Sequence, residues 1–156
     1  MRALWAAAAL GLTAAAPPAD LTPAASCTLP RAETEAAFKA LSLLGTEDDT
    51  EADERGTIYS FTGGELWGAS PKHIRLSDYA NPAAGDYSQS FQTAPTDGFA
   101  ATRARLLAAH GKAQCDRDTA SACELSLAPD GAWSRSVTLT ESGGELLLVC
   151  TFTKRG

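Results

Sequence analysis

The chain has 156 residues, with 19 acidic and 13 basic side chains and a net charge of −6. That balance argues against nucleic acid and anionic membrane as main partners, because both reward clustered Lys and Arg. Two histidines and four cysteines bound the catalytic and metal-binding chemistries to be weighed.

Arg2 precedes an uncharged apolar run from Ala3 to Ala16, which Pro17, Pro18 and Asp20 then end. A short basic segment before roughly 7–15 apolar residues is the pattern of a secretory signal peptide. The run falls short of the about 20 residues needed to span a bilayer. A signal peptide is therefore expected over 1–19 and one disulfide-bonded globular domain over 20–156. Cleavage after Ala16, Ala19 or Ala25 each leaves a small residue at the cut. Ala24-Ala25-Ser26-Cys27 superficially resembles a lipoprotein box, but a polar, Pro-containing stretch separates Cys27 from the apolar run. Loss of Arg2 leaves a charge of (13 − 1) − 19 = −7. No second stretch reaches membrane length, so the mature chain is expected to have no membrane span and to be periplasmic or secreted.

Leu21 to Ser26 reads as an irregular lead-in. Ala37, Phe38, Leu41 and Leu44 then fall at helical spacing, which predicts a helix over 30–44 that starts at Pro30 and is closed by Gly45. Thr46 to Gly56 carries Glu47, Asp48, Asp49, Glu51, Asp53 and Glu54 without apolar periodicity, the mark of a solvated loop. A calcium loop fails there, because Glu54 stands where an EF-hand needs Gly and Ser60 where it needs Glu. Strands are expected over 57–61, over 65–67, through Ile74 and Leu76, and through Tyr87 and Phe91. Gly63-Gly64 and Asn81 to Gly85 supply turns.

A second helix is expected from Asp97 to His110, capped by Thr96 or Asp97 and closed by Gly111. Phe99, Arg103, Leu106, Leu107 and His110 would share its face. A meander follows: 123–127, a turn at Pro129-Asp130-Gly131, 132–140, a turn at Ser142-Gly143-Gly144, and 145–153. Trp133, Val137 and Leu139 alternate with Ser134, Ser136 and Thr138, so that strand should be wet on one face. Leu146 to Cys150 is apolar throughout and predicts a central strand covered on both faces. The fold class expected is α+β: an antiparallel sheet of about six strands with two helices packed on it, arranged as two helix-plus-three-strand halves.

An exported chain makes its cysteines legible as disulfides. Cys115 and Cys123 flank a short polar loop, whereas Cys123 and Cys150 lie on strands one apart, about 10 Å from each other and beyond disulfide reach. The pairs expected are Cys115–Cys123 and Cys27–Cys150, stabilising by about 2.6 and about 4.9 kcal/mol in the loop-entropy model. Cys115 and Cys123 do not form a C-x-x-C, and both histidines are remote in sequence. Neither a zinc site nor a redox site is expected.

No G-x-S-x-G, phosphate loop or dinucleotide fingerprint occurs. His73 stands beside Lys72 and Arg75 on a polar strand face, and His110 ends a helix, where the dipole favours positive charge. The carboxylates cluster in one loop or sit singly at turns, which does not hold a pair at the fixed separation glycoside cleavage needs. No catalytic residue, metal ligand or cofactor is assigned. Trp67, in a Gly-rich segment, with His73 and Tyr79, forms the candidate binding surface, since Trp and Tyr on rigid strands make good anchors. The function expected is an exported, non-catalytic binding domain whose partner is another exported protein. A carrier of a small apolar ligand is the alternative, and a small enzyme of unfamiliar type comes third.

Overall fold

The computed structural model describes residues 15–50 and 54–156, so most of the expected signal peptide lies outside the described residues. In chain order the elements begin with β1 (Ala19–Asp20), α1 (Thr22–Ala25), α2 (Arg31–Lys39), β2 (Ser42–Asp48), β3 (Arg55–Thr62) and β4 (Gly64–Glu65). Then follow β5 (Ile74–Asn81), β6 (Asp86–Thr93), α3 (Phe99–Ala109), β7 (Arg117–Asp118), β8 (Ala122–Asp130), β9 (Trp133–Ser142) and β10 (Glu145–Lys154).

Along β10 the buried residues are Leu146, Leu148, Cys150 and Phe152, every second position, as an extended strand requires. That strand sits near the centre of an eight-stranded antiparallel sheet ordered β2-β3-β5-β6-β10-β9-β8-β7. Register carries the apolar positions across it. Leu76, Phe91, Cys150, Val137 and Leu125 stand side by side on five consecutive strands, all fully buried. Phe38 of α2 meets Phe91 edge-on at 5.1 Å between ring centroids, and Phe91 meets Phe152 at 5.9 Å. The helices therefore cover this face, with α1 against β6 and β10 and α3 against β9. The opposite face is mixed, with Ile58, Leu147 and Val149 half-buried on it. Ser77, Ser90, Thr151, Ser136 and Ser126 form a cross-strand row of hydroxyls there.

The expected antiparallel α+β architecture holds, with eight strands in the sheet instead of about six and a third, short helix. Both extra strands are edge strands. The first helix ends at Lys39, so Leu44 lies on β2 and is 69 % exposed instead of sharing a buried helix face with Phe38. Gly45 pairs with Ser60 across a bulge and caps nothing. The start of the expected acidic loop belongs to the same strand. Every β2 side chain is exposed, so Glu47 and Asp48 suffer no desolvation there.

The lead-in at Leu21 to Ala25 includes one helical turn whose Leu21, Ala24 and Ala25 are buried. Removing them would empty part of the core, so an intact fold retains this segment. Gly98, not Thr96 or Asp97, precedes α3, and no side chain caps it, because Asp97 is engaged by Arg105. β10 is central as expected, but Leu147, Val149 and Thr151 are only half-buried: no layer among the described residues covers the second face.

Both expected disulfides are present. Cys27 joins Cys150 at 5.2 Å between Cα atoms, and Cys115 joins Cys123 at 5.4 Å. Such bonds suit an oxidising, exported environment. With its sulfur bonded to Cys150 and fully buried, Cys27 is not available as a lipid attachment point. Among the described residues no helix is long and apolar enough to cross a membrane.

Candidate functional site

β2 forms one border of the sheet and pairs only with β3. In an antiparallel pair, half of a strand's backbone groups point away from its partner. Along β2 that outer row meets no other strand among the described residues. Leu43 is 55 % exposed, and with Leu44 and Tyr87 it makes up the exposed large hydrophobic side chains of the described residues. Leu43 and Leu44 are adjacent on one edge, while Tyr87 lies apart on β6. Towards its other end the strand turns acidic at Glu47 and Asp48.

Leu44 also borders a cleft of about 500 Å³ at the same end of the sheet. Phe61 and Ile74 give this cleft an apolar wall, while Ser60, Thr62, Lys72, His73 and Arg75 give it a polar one. Gly64 shapes its floor, since a Cβ there would lie 2.5 Å from Leu21 Cδ1. Edge and cleft are therefore one continuous surface.

His73 is the titratable group of the cleft with a displaced pKa. Burial lowers its pKa below the usual histidine value of 6.5, the positive Arg75 adds to this, and Glu145 opposes both. The ring is thus largely neutral near pH 7, and its Nδ1, 3.2 Å from Glu145 Oε1, makes a dipolar contact more than an ion pair. Nε2 is buried without a hydrogen-bond partner. Among the described residues no serine hydroxyl or cysteine thiol meets that nitrogen.

Trp67, His73 and Tyr79 do not come together. His73 directly precedes β5 and Tyr79 lies toward its far end, six positions on, or roughly 20 Å at the usual strand rise. Trp67 packs half-buried against the core in a left-handed turn with φ of 50°. Its N–H donates to Thr22 Oγ1 at 2.8 Å, and the Arg105 guanidinium lies 5.6 Å from its ring centroid. Those contacts fasten α1 and α3 to the 66–69 turn. The Tyr79 hydroxyl donates to Asp49, and this bond, with a smaller contribution from burial, pushes its pKa up to about 12. It ties the root of the β2–β3 connection to β5.

Of the three, His73 alone borders the cleft beside β2. The exposed Leu43–Leu44 edge is missed when the sequence is read at helical spacing. Its signal is a proline-free Leu-Leu-Gly-Thr run, separated by a charged tip from the strand formers at 57–61, which together make a hairpin. No group of His, Cys, Asp or Glu among the described residues is arranged to hold a metal ion. In comparisons with known proteins, the chain matches no family model, no curated protein and no solved structure.

Proposed function

We propose that this chain is an exported, non-catalytic domain that binds another protein through its β2 flank and the adjoining cleft. The observation that carries the reading is an open strand edge bearing Leu43 and Leu44, two of the three exposed large hydrophobic side chains among the described residues. Natural sheets blunt their exposed edges with charges and bulges; here the bulge at Leu44 and the acids Glu47 and Asp48 leave two exposed leucines at one end, which supports a selective pairing surface. Export through a signal peptide over 1–19 to the periplasm or medium is supported by the two disulfides.

The cleft volume favours a small-ligand carrier as the second reading, since about 300 Å³ suffices for such a site. Its half-polar lining and the filled aromatic interior speak for the first. The same proposal keeps the two helix-plus-three-strand halves, β3-β5-β6 and β8-β9-β10, supported by strand orders that run from each edge to meet at β6 and β10, with β2 and β7 added outside them.

A photo-crosslinking side chain in place of Leu44 tests the binding reading in the exporting cell, with the same side chain in place of Thr119 as control. A discrete protein adduct from position 44 and none from 119 is expected. Adducts from neither position, in a folded and oxidised chain, would overturn it.

A further inference from the structure

The β2 edge is not uniform, and its polarity says what fits it. Ser42, Leu43 and Leu44 lie at the cleft end, and Glu47 and Asp48 at the other. Pairing places Leu43 beside Phe61 and Asp48 beside Thr57 on the helix-covered side, and Glu47 beside Ile58 on the opposite side. Acidic charge therefore stands on both faces of one end. Neither Glu47 nor Asp48 forms an ion pair among the described residues, although other acids, such as Asp97, Asp116 and Asp118, are paired.

Resting on the reading of this flank as a binding surface, we propose that β2 receives an extended segment of another protein as an added antiparallel strand. The segment is basic in its N-terminal half and apolar in its C-terminal half. Antiparallel pairing continues the order of the whole sheet and is the slightly more stable geometry. In that direction the incoming strand passes Asp48 and Glu47 first and Leu44 and Leu43 last. Consecutive Lys or Arg side chains then meet an acidic group on each face, and consecutive apolar ones meet Leu43 and the cleft wall at Leu44. Main-chain hydrogen bonds supply affinity while the alternating side chains select the partner.

A second copy of the chain fits less well. Two-fold antiparallel pairing of β2 with itself sets the Leu43–Leu44 end of one strand against the Glu47–Asp48 end of the other. Apolar groups would then face acids, with no compensating cation.

The test uses the exported, oxidised chain and a capped peptide of the same length as β2, reading Thr-Lys-Lys-Thr-Ile-Val-Thr. Amide chemical shifts of the ¹⁵N-labelled protein are followed during titration. Shifts centred on β2 are expected, with binding weakened about tenfold by Glu47→Lys with Asp48→Lys, or by Glu in place of both peptide lysines. Alternate N-methylation of the peptide backbone should abolish binding, because it removes the donors an added strand needs. Absent binding, tolerance of N-methylation, or self-association through β2 would each overturn the proposal. Binding with shifts confined to the cleft residues Lys72 to Arg75 would overturn it too, yet leave the broader reading standing. Peptide cleavage during titration would instead remove the non-catalytic reading.

Discussion

The two edges of the sheet are finished in opposite ways. At the β8 flank, outward backbone groups are occupied: Asp116 N–H donates to Glu124 O at 2.9 Å, and Ser126 N–H donates to the Asp116 carboxylate at 2.8 Å. β7 adds a two-residue strand, Arg103 holds Asp118, and the Cys115–Cys123 bond pins the approach. Among the described residues the β2 flank has none of these devices and is broken only by the bulge at Leu44. One chain thus contains both a closed edge and an open one, so the open edge is a local property of β2 and no general consequence of the architecture.

The largest perturbation strikes the layer that both edges share. Replacing Cys27 and Cys150 together by Ser should lower unfolding free energy by about 5 kcal/mol, the entropy of a very long closed loop. Urea denaturation measures it. Replacing Cys115 and Cys123 should lower stability by only about 2.5 kcal/mol in the same assay. It should also bring β8 amide exchange towards β2 rates; unchanged protection would mean that hydrogen bonds alone close that edge.

A Cβ at Gly56 would lie 2.2 Å from Asp49 O and 2.4 Å from the Tyr79 ring. Gly56→Ala should therefore lower stability by about 2 kcal/mol, by overpacking the β2–β3 hairpin. Leu43→Lys with Leu44→Lys should change stability by no more than about 0.5 kcal/mol, because both side chains already face water. If these two substitutions cost several times more, the edge is not open as described.

A pH titration separates the edges further. The Lys112 ammonium beside Asp116, with the Ser126 N–H, holds its carboxyl below the usual aspartate value of 3.8. A depressed carboxylate contributes its stability above the unfolded value and loses it as pH falls through the folded one. Protection of the Ser126 amide should therefore persist on acidification to 3.8 and fall below it, while β2 amides show no such step. Hydrogen exchange across that range reads both.

Much of the central sheet was legible in the sequence, because its strands bury one face and alternate accordingly. Val137 and Leu139 against Ser136 and Thr138 give β9 directly, and the spacing of the four cysteines gave both bonds. The edges were not legible for a physical reason. An edge strand with every side chain exposed needs no alternation, and β2 is held by backbone pairing to β3, which leaves only the hairpin spacing as a signal. Leu41 and Leu44 even fit the preceding helical period by coincidence. For the candidate site, attention to aromatics pointed to Trp67, whose contacts in the structure are with Thr22 of α1 and Arg105 of α3, while the β2 edge left no aromatic signal.

The nesting of the two disulfides bears on how the chain must be made. Cys27 is the first cysteine to arrive and Cys150 the last, 123 positions later, and the other pair lies wholly between them. An oxidase acting in order of appearance would join Cys27 to Cys115, which leaves Cys123 for Cys150. Neither product is native. The protein's yield in its host should thus depend on an enzyme that reshuffles disulfides and not merely on one that forms them.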